Sequence, residues 1–104
     1  MKARHKFNAK PTIKNNIRFD SKGEARQYEK LLLLQKSGQI VGFLRQVPIH
    51  LKCGIRYTID FLVFYADGSC EGIEYKGYET PDWVIRHKLA LEEYPWLPIK
   101  IVKS

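Results

Sequence analysis

The chain has 104 residues, with 18 lysines and arginines against 11 aspartates and glutamates, which gives a formal charge of +7. This length suits one compact domain, and 44% hydrophobic residues can fill its core without disulfide or metal staples. No segment approaches the ~20 consecutive apolar residues that a membrane-spanning helix needs. Length, composition and charge therefore exclude a membrane protein, a disulfide scaffold, a repeat array and a wholly disordered chain.

The two cysteines, Cys53 and Cys70, are predicted to be free thiols. We expect them near opposite ends of a strand pair, on the order of 30 Å apart at ~3.3 Å per residue, whereas a disulfide needs Cα atoms within ~7 Å. Two cysteines and three scattered histidines also lack the spacing of a zinc finger. Free thiols, and a basic N-terminus with no apolar segment behind it, predict a cytoplasmic protein without a secretory signal.

The positive charge is concentrated at the N-terminus. Residues 1–22 contain seven basic residues and one acidic residue, Asp20, so six of the seven net positive charges lie in the first fifth of the chain. A basic arm on a nearly neutral body favours a nucleic-acid partner, and the alternative is a solubilising tail. The arm residues predicted to contact the nucleic-acid backbone are Lys2, Arg4, Lys6, Lys10, Lys14 and Arg18.

The first predicted helix begins at a capping box in the sequence Ser-Lys-Gly-Glu of residues 21–24. In this motif the Ser21 hydroxyl accepts a hydrogen bond from the third helical N–H, and the Glu24 carboxylate reaches back to the cap. Side chains suited to the core follow at spacings of three and four residues. Gly38 is a natural left-handed stop, so we expect the helix to end near Ser37.

Three strands are predicted to follow the helix. The first contains Pro48, which requires an edge position or a bend. Turns are expected at Cys53-Gly54 and at Asp67-Gly68, the second of which joins two strands as a hairpin. The predicted strand segments are 40–47 with a continuation over 49–52, then 55–66, then 69–76.

A second helix is predicted to start at Thr80, with Pro81 in its first position and to stop at Pro95. A final strand over Leu97–Val102 completes the order αβββαβ. This order predicts an α/β domain, a restriction-endonuclease-like core with a mixed sheet flanked by two helices. We therefore divide the chain into a basic N-terminal arm, residues 1–16, and one domain, residues 17–104.

Two acidic residues interrupt strands that are otherwise apolar. Asp60 lies within the run Tyr-Thr-Ile-Asp-Phe-Leu-Val-Phe, and Glu74 lies two residues before Lys76, so that this pair shares one strand face. A buried carboxylate needs a cation, a hydrogen-bond network or solvent, and a divalent metal ion beside Lys76 would satisfy both acids. The alternatives are a structural Asp60 paired with Arg56 or Lys76, and a solvent-facing pair of Glu74 and Lys76.

The hairpin loop decides whether Asp60 and Glu74 can share a ligand. A two-residue loop, Asp67-Gly68, would place Asp60 opposite Tyr75 and send the two carboxylates to opposite faces. A three-residue loop over residues 66–68, with a left-handed glycine, would place Asp60 directly opposite Glu74. The sequence permits both loops. A shared metal site requires the three-residue loop, which we therefore predict.

Glu24, in the first turn of the predicted helix, supplies a third carboxylate. Three carboxylates and a lysine are what metal-assisted phosphodiester hydrolysis needs, because Mg²⁺ prefers oxygen ligands, activates water and neutralises charge on phosphate. Lys76 could steer the attacking water or stabilise the pentavalent phosphorus. The predicted cofactor is Mg²⁺, with Mn²⁺ as a substitute. The capping box alone also explains Glu24, and the two roles can coexist.

The chain resembles the PD-(D/E)XK nuclease superfamily over residues 17–102. Within it, the chain is similar to small phage nucleases of the Holliday-junction resolvase type, close to the phage endonuclease I family, and to a phage domain family of uncharacterised function. The acids are separated by 36 and 14 residues, and Ile59 departs from the proline of many members. The resemblance is carried by Phe-Asp-Ser-Lys-Gly-Glu-Ala at 19–25, Tyr-Thr-Ile-Asp-Phe at 57–61 and Glu-Tyr-Lys-Gly-Tyr at 74–78.

The resemblance implies a role for each residue of the motif. Asp60, Glu74 and the carbonyl oxygen of Tyr75 would bind the metal ion, and Glu24 would bind it directly or through water. Lys76 would assist catalysis, so that Glu24, Asp60, Glu74 and Lys76 are the predicted catalytic residues. A 5′-phosphate and a 3′-hydroxyl product follow only by analogy.

We therefore expect a Mg²⁺-dependent endodeoxyribonuclease that acts on branched DNA, as a homodimer, in the host-cell cytoplasm if the protein is phage-encoded. The alternatives are a catalytically inactive, basic DNA-binding module of the same fold, and a nicking or repair nuclease. On the second helix, Arg86 and Lys88 are predicted to contact DNA phosphates, or else to form a solvated face. Gln46, Tyr78 and Trp83 are interpreted as packing residues in preference to residues around the site.

Overall fold

The computed structural model describes residues 12–103, and their fold is a four-stranded mixed sheet with one helix on each face. The sheet order is β3–β4–β5–β6, in which the first three strands are antiparallel and β6 runs parallel to β5. The predicted α/β class and the predicted order αβββαβ are both confirmed. The elements are β1 (Thr12–Lys14), β2 (Ile17–Phe19), α1 (Lys22–Lys36), β3 (Ile40–His50), β4 (Arg56–Tyr65), β5 (Cys70–Lys76), α2 (Pro81–Glu93) and β6 (Ile99–Lys103).

A small antiparallel hairpin, β1–β2, precedes the main domain. Its turn residues Asn15 and Asn16 have φ angles of 50° and 65°, the left-handed pair that a two-residue hairpin turn requires and that asparagine tolerates. The sequence analysis placed Thr12–Lys14 in the basic arm, whereas the structure pairs these residues with β2. Residues 1–11 of the arm lie outside the described residues.

The ends of α1 are those that the sequence predicts. The Ser21 hydroxyl accepts a hydrogen bond from the Glu24 amide at 3.1 Å. Beyond the C-terminus, Gly38 adopts a φ of +85° and its amide donates to the Gln35 carbonyl, while the Gln39 amide donates to the Leu34 carbonyl. This arrangement satisfies the last helical carbonyls and turns the chain into β3.

Alternation of side chains along β4 breaks at Asp60. Tyr57 and Ile59 are buried in the core beneath α2, whereas Phe61 and Val63 are buried in the core beneath α1. Because all four residue numbers are odd, strict alternation would have put them on one face. The phase of the alternation therefore shifts at this point: odd-numbered residues face the α2 core before Asp60 and the α1 core after it, where Leu62 faces the α2 core.

The neighbouring strand β3 makes the same change of face. Phe43 packs in the α1 core and Val47 in the α2 core. Between them lies Gln46, with a left-handed φ of 52° in the middle of a strand. A non-glycine residue in this conformation costs roughly 1–3 kcal/mol, which a surrounding structure must offset. We call this junction of Gln46 and Asp60 the face switch.

The β4–β5 hairpin has the predicted three-residue loop. The paired residues run from Phe64↔Cys70 to Phe61↔Ile73, and Gly68 adopts a φ of +91°. The Tyr65 amide donates to the Ser69 carbonyl at 2.9 Å, which closes the loop. Backbone pairing ends at Phe61↔Ile73, and the same register extended by one residue sets Asp60 against Glu74.

The start of the second helix and the state of the two cysteines also agree with the predictions from the sequence. The Thr80 hydroxyl caps α2 by accepting from the Trp83 amide at 3.1 Å, and Pro81 occupies the first turn. Cys53 and Cys70 are both free thiols, as predicted. Neither α1 nor α2, the two α-helices found between residues 12 and 103, has the length and apolar character that crossing a membrane would need.

Candidate metal centre

Three carboxylates converge at the open end of the β4–β5 hairpin. Glu74 is 1% exposed and Glu24 is 6% exposed, and they are the two buried acidic residues of the described chain. Asp60 is partly buried between them. The three predicted acids are therefore brought together, and they lie where the sheet changes face.

Side chains replace the strand ladder at this end. The Asp60 amide donates to Glu74 Oε2 at 2.8 Å, and the Tyr75 amide donates to Asp60 Oδ2 at 2.9 Å. Each acid thus binds the backbone of the strand opposite, which fixes both carboxylates without a regular backbone pair. Exchanging ladder bonds for carboxylate–amide bonds gives stronger, charge-assisted contacts when the acids are ionised.

The first turn of α1 brings Glu24 to the strands, and Gly23 allows the approach. The Tyr75 ring lies directly against the Gly23 backbone, where any Cβ would overlap the ring. Only glycine leaves this space, so the helix start can sit on β5 and deliver Glu24 to the acids. The Gly23–Tyr75 contact was not foreseen from the sequence.

Gln46 joins two of the acids from the edge strand. Its Nε2 donates to Glu24 Oε2 at 3.2 Å and to Asp60 Oδ1 at 3.3 Å. The sequence interpretation of Gln46 as a packing residue is therefore wrong, since its side chain is exposed and hydrogen-bonded to the acids. The capping box predicted that Glu24 would reach back to its cap, and instead its carboxylate accepts from Gln46.

Burial raises the pKa of all three acids. It is the largest cause for Glu74, whose pKa rises to about 8 with further help from the charge of Asp60. Burial, followed by the charges of Asp60 and Asp20, raises the pKa of Glu24 to about 7. The pKa of Asp60 is also raised by burial, against the Tyr75 amide hydrogen bond that favours its charged form. Ionising all three acids in the absence of a cation therefore costs free energy.

The cations described near these acids, Lys76 and Arg45, do not form ion pairs with them. The ammonium of Lys76 lies 5.1 Å from the centre of the Trp83 ring, although its charge still lowers the pKa of Asp60 and Glu74. Across residues 12–103 the ion pairs join other side chains, so the structural alternative of Asp60 paired with Arg56 or Lys76 gains no support. Within the described part of the chain, the three acids therefore have no pairing cation.

Arg45 is the other cation beside the centre. Its guanidinium lies 4.6 Å above the Phe19 ring and its charge lowers the pKa of Glu24. Its Nε is buried and has no hydrogen-bond partner among the described residues. The guanidinium thus lies over an aromatic ring beside the acids and forms no ion pair with a carboxylate of residues 12–103.

The donor set fits a hard divalent cation. Carboxylate oxygens are the ligands that Mg²⁺ prefers, and a cation would offset both the burial and the mutual repulsion that raise these pKa values. As they stand, the side chains of residues 12–103 include no group of three or more acids, histidines or cysteines already arranged around a metal position. Glu24 and Asp60 each keep lone pairs beyond those bonded to Gln46.

A polar and aromatic cluster connects the centre to α2. The Tyr57 hydroxyl lies 3.1 Å from His87 Nδ1, and the Trp83 ring stacks on the His87 ring at 4.7 Å. Burial and the charges of Glu74 and Asp60 raise the pKa of Tyr57 above its ordinary value. Trp83, which was also interpreted as packing, is the residue on which the Lys76 ammonium rests.

The predicted DNA-binding residues have different surroundings. Lys14 pairs with Glu29 at 3.5 Å, and Arg86 pairs with Asp82 and donates to the Arg56 carbonyl, both at 2.9 Å. Arg18 on β2 and Lys88 on α2 are exposed. The remaining predicted residues, Lys2, Arg4, Lys6 and Lys10, lie outside the described residues.

The model of one protein family matches a segment that contains all the residues of the metal centre. It matches residues 4–104, nearly the full chain, and its description is "Protein of unknown function (DUF1064)". The chain belongs to the DUF1064 family. No curated protein and no solved structure matches the chain significantly. The region that matches the DUF1064 family therefore includes the three acids, Lys76 and Gln46, and the family description names no activity.

Proposed function

We propose that the chain is a metal-dependent endodeoxyribonuclease that hydrolyses DNA phosphodiesters, with branched DNA as its substrate. The observation that carries the proposal is the cluster of Glu24, Asp60 and Glu74, three carboxylates held together with no pairing cation among residues 12–103. Such a cluster is costly unless a cation completes it, and perturbed acids of this kind concentrate at functional sites. The resemblance of the same residues to the PD-(D/E)XK nucleases supports this chemistry in preference to cation storage.

The metal ion would be held by Asp60 and Glu74, with Glu24 bound directly or through water and the Tyr75 carbonyl as a further ligand by resemblance. When bound, Mg²⁺ or Mn²⁺ would lower the pKa of water and neutralise charge on the phosphate. The backbone amides of Asp60 and Tyr75 orient the two strand acids toward it.

Two cations of the chain have roles on the substrate side. Lys76 is flexible enough to leave the Trp83 ring and place its ammonium beside the scissile phosphate, where it would stabilise the developing charge. Arg45, whose guanidinium lies over the Phe19 ring beside the acids, would hold the same or the adjacent phosphate with its terminal nitrogens. Phosphate contacts by the basic arm would add affinity without sequence preference.

From the nuclease resemblance we further propose a preference for branched DNA and dimerisation. The same resemblance and the free thiols lead us to propose a location in the cytoplasm, of a host cell if the protein is phage-encoded. An inactive DNA-binding module and a nicking or repair nuclease are outcomes of the same test.

The test is a cleavage assay on a labelled four-way junction, a flap and a linear duplex, with Mg²⁺, with Mn²⁺ and with chelator. Asp60→Asn is compared with Asp67→Asn, since Asp67 is an exposed acid of the same hairpin. We expect metal-dependent cutting of the junction that Asp60→Asn loses and Asp67→Asn keeps. DNA binding without cutting in either metal would overturn the proposed nuclease activity in favour of an inactive DNA-binding module. Cutting of flap or duplex in preference to junction would overturn the choice of substrate.

A further inference from the structure

Gln46 is the residue of the centre for which the nuclease resemblance provides no role. It lies on the edge strand β3, fourteen residues from Asp60 and twenty-two from Glu24 along the chain, yet its amide reaches both carboxylates. Both contacted oxygens are acceptors, so the amide nitrogen, with its two hydrogens, must be the atom that faces them. One neutral group thus bridges two acids that repel each other.

The backbone of β3 is arranged to deliver this amide. Gln46 adopts a φ of 52°, a left-handed conformation that a side chain other than glycine rarely takes. Its neighbours Arg45 and Val47 pair with Phe61 and Ile59 in one register, so the strand itself stays aligned across the unusual residue. Glycine would fit this conformation more easily, so a reason for glutamine must lie in its side chain.

We propose that Gln46 is a positioning residue of the metal centre, which holds the Glu24 and Asp60 carboxylates side by side so that a divalent cation meets both. The proposal rests on the proposed metal-dependent function and adds a residue to it. The two hydrogen bonds occupy one lone pair on each oxygen and leave others for a cation. Outer partners of this kind orient metal-binding carboxylates and set the affinity of the site.

The test measures Mn²⁺ binding directly, by calorimetry and by the loss of the free-ion spin-resonance signal, so that it does not depend on cleavage. Two variants remove the amide in different ways. Gln46→Met keeps the length of the side chain and the strained backbone, whereas Gln46→Gly relieves the strain. Gln39→Met, at an exposed glutamine just before β3, is the matched control.

We expect both Gln46 variants to bind Mn²⁺ roughly 10–100-fold more weakly than the wild type, and Gln39→Met to bind as the wild type does. Thermal unfolding in chelator separates a structural role from a positioning role. A positioning role weakens binding alike in the two variants, although their backbones are strained to different degrees. Binding that followed the unfolding temperature instead would show that Gln46 acts only through the fold.

The outcomes distinguish this inference from the function on which it rests. If the wild type binds Mn²⁺ and either Gln46 variant binds equally well, Gln46 has no positioning role, and the nuclease proposal stands. If the wild type itself binds no Mn²⁺, the metal centre is refuted and the inference about Gln46 falls with it.

Discussion

The two ends of the β4–β5 hairpin carry the same residue types in opposite environments. At the closed end, Asp67 accepts from the Ser69 amide and hydroxyl, and Glu71 accepts from the Tyr65 hydroxyl. These local hydrogen bonds from Ser69 lower the pKa of the exposed Asp67. At the open end, burial raises the pKa of both Asp60 and Glu74.

The comparison distinguishes acids whose hydrogen bonds are satisfied within the fold from acids that a cation would stabilise. An exposed acid whose donors lie two residues away is already satisfied, so a change there has few consequences. Buried acids from separate elements cost free energy to keep together, and folding alone gives no reason for them. Matched substitutions at the two ends therefore test the function and control for the fold.

The largest effect is expected from Glu74→Gln compared with Glu71→Gln. The first variant removes a charge from the metal centre and should lower the cleavage rate by on the order of 10³-fold, while the second should leave it unchanged. Single-turnover cleavage of the preferred DNA in Mg²⁺ measures both. Equal losses in the two variants would mean that the open end has no special role.

Lys76→Ala should have the next largest effect, since it removes a cation from the open end and leaves the carboxylates. We expect the cleavage rate to fall by about 10²-fold with DNA affinity retained. Lys100→Ala, on the exposed surface of β6, is the control. Undiminished cleavage by the Lys76 variant would remove this lysine from the mechanism.

Deleting residues 2–11 should separate DNA binding from cutting. The deletion removes Lys2, Arg4, Lys6 and Lys10 and keeps β1, which a cut through residue 14 would destroy. We expect DNA binding to weaken about tenfold. The slope of the logarithm of the DNA-binding constant against the logarithm of the salt concentration should become shallower by up to about 3–4, at roughly 0.9 per phosphate contact. The maximal cleavage rate should stay the same. An unchanged salt slope would reduce the arm to a tail without contacts.

The smallest effect is expected in the pH dependence of the metal-free protein. Folding raises the pKa of Glu74 to about 8 from an ordinary value of 4.5, so its stabilising contribution is complete below pH 4.5 and is lost as the pH rises through 8. The Glu74→Gln variant has no titrating group at this position. We therefore expect the melting temperature of the variant minus that of the wild type to increase by roughly 5 °C or more from pH 5.5 to pH 8.5.

Asp67→Asn is the control for the same thermal-unfolding measurements in chelator, because the pKa of Asp67 shifts in the opposite direction. The pKa of Asp67 is lowered, so any contribution it makes is present above its ordinary pKa and is lost only at more acid pH. Its melting-temperature difference from the wild type should stay constant between pH 5.5 and 8.5. A constant difference for Glu74→Gln as well would contradict the raised pKa of Glu74.

The features that were predictable from the sequence depend on local patterns. The cap at Ser21, the stop at Gly38 and the helix start at Thr80 each involve residues within one turn of each other. The hairpin loop needed one further argument, that Asp60 and Glu74 can share a ligand only in one register. The convergence of the acids followed from that register.

The rest depends on contacts that no local pattern specifies. The role of Gln46 needs a left-handed backbone in a strand and partners on two other elements. The face switch could not be seen, because apolar residues at 57, 59, 61 and 63 are what a strand with one buried face would also show. The position of the Lys76 ammonium above the Trp83 ring depends on how α2 packs against the sheet, which the sequence does not predict.

The face switch has a consequence for how the molecule opens. Since the alternation of side chains along β3 and β4 changes phase at Gln46 and Asp60, odd-numbered residues of β4 face the α2 core before Asp60 and the α1 core after it, while Leu62 keeps the second half of the strand in contact with the α2 core. The repelling carboxylates lie at this point of the sheet, so we expect the amide hydrogens of the neighbouring strand residues to exchange faster in the metal-free protein than those of the rest of β4. A cation bound there should slow that exchange. The centre that is proposed to cut DNA would then also determine how easily the middle of the sheet opens.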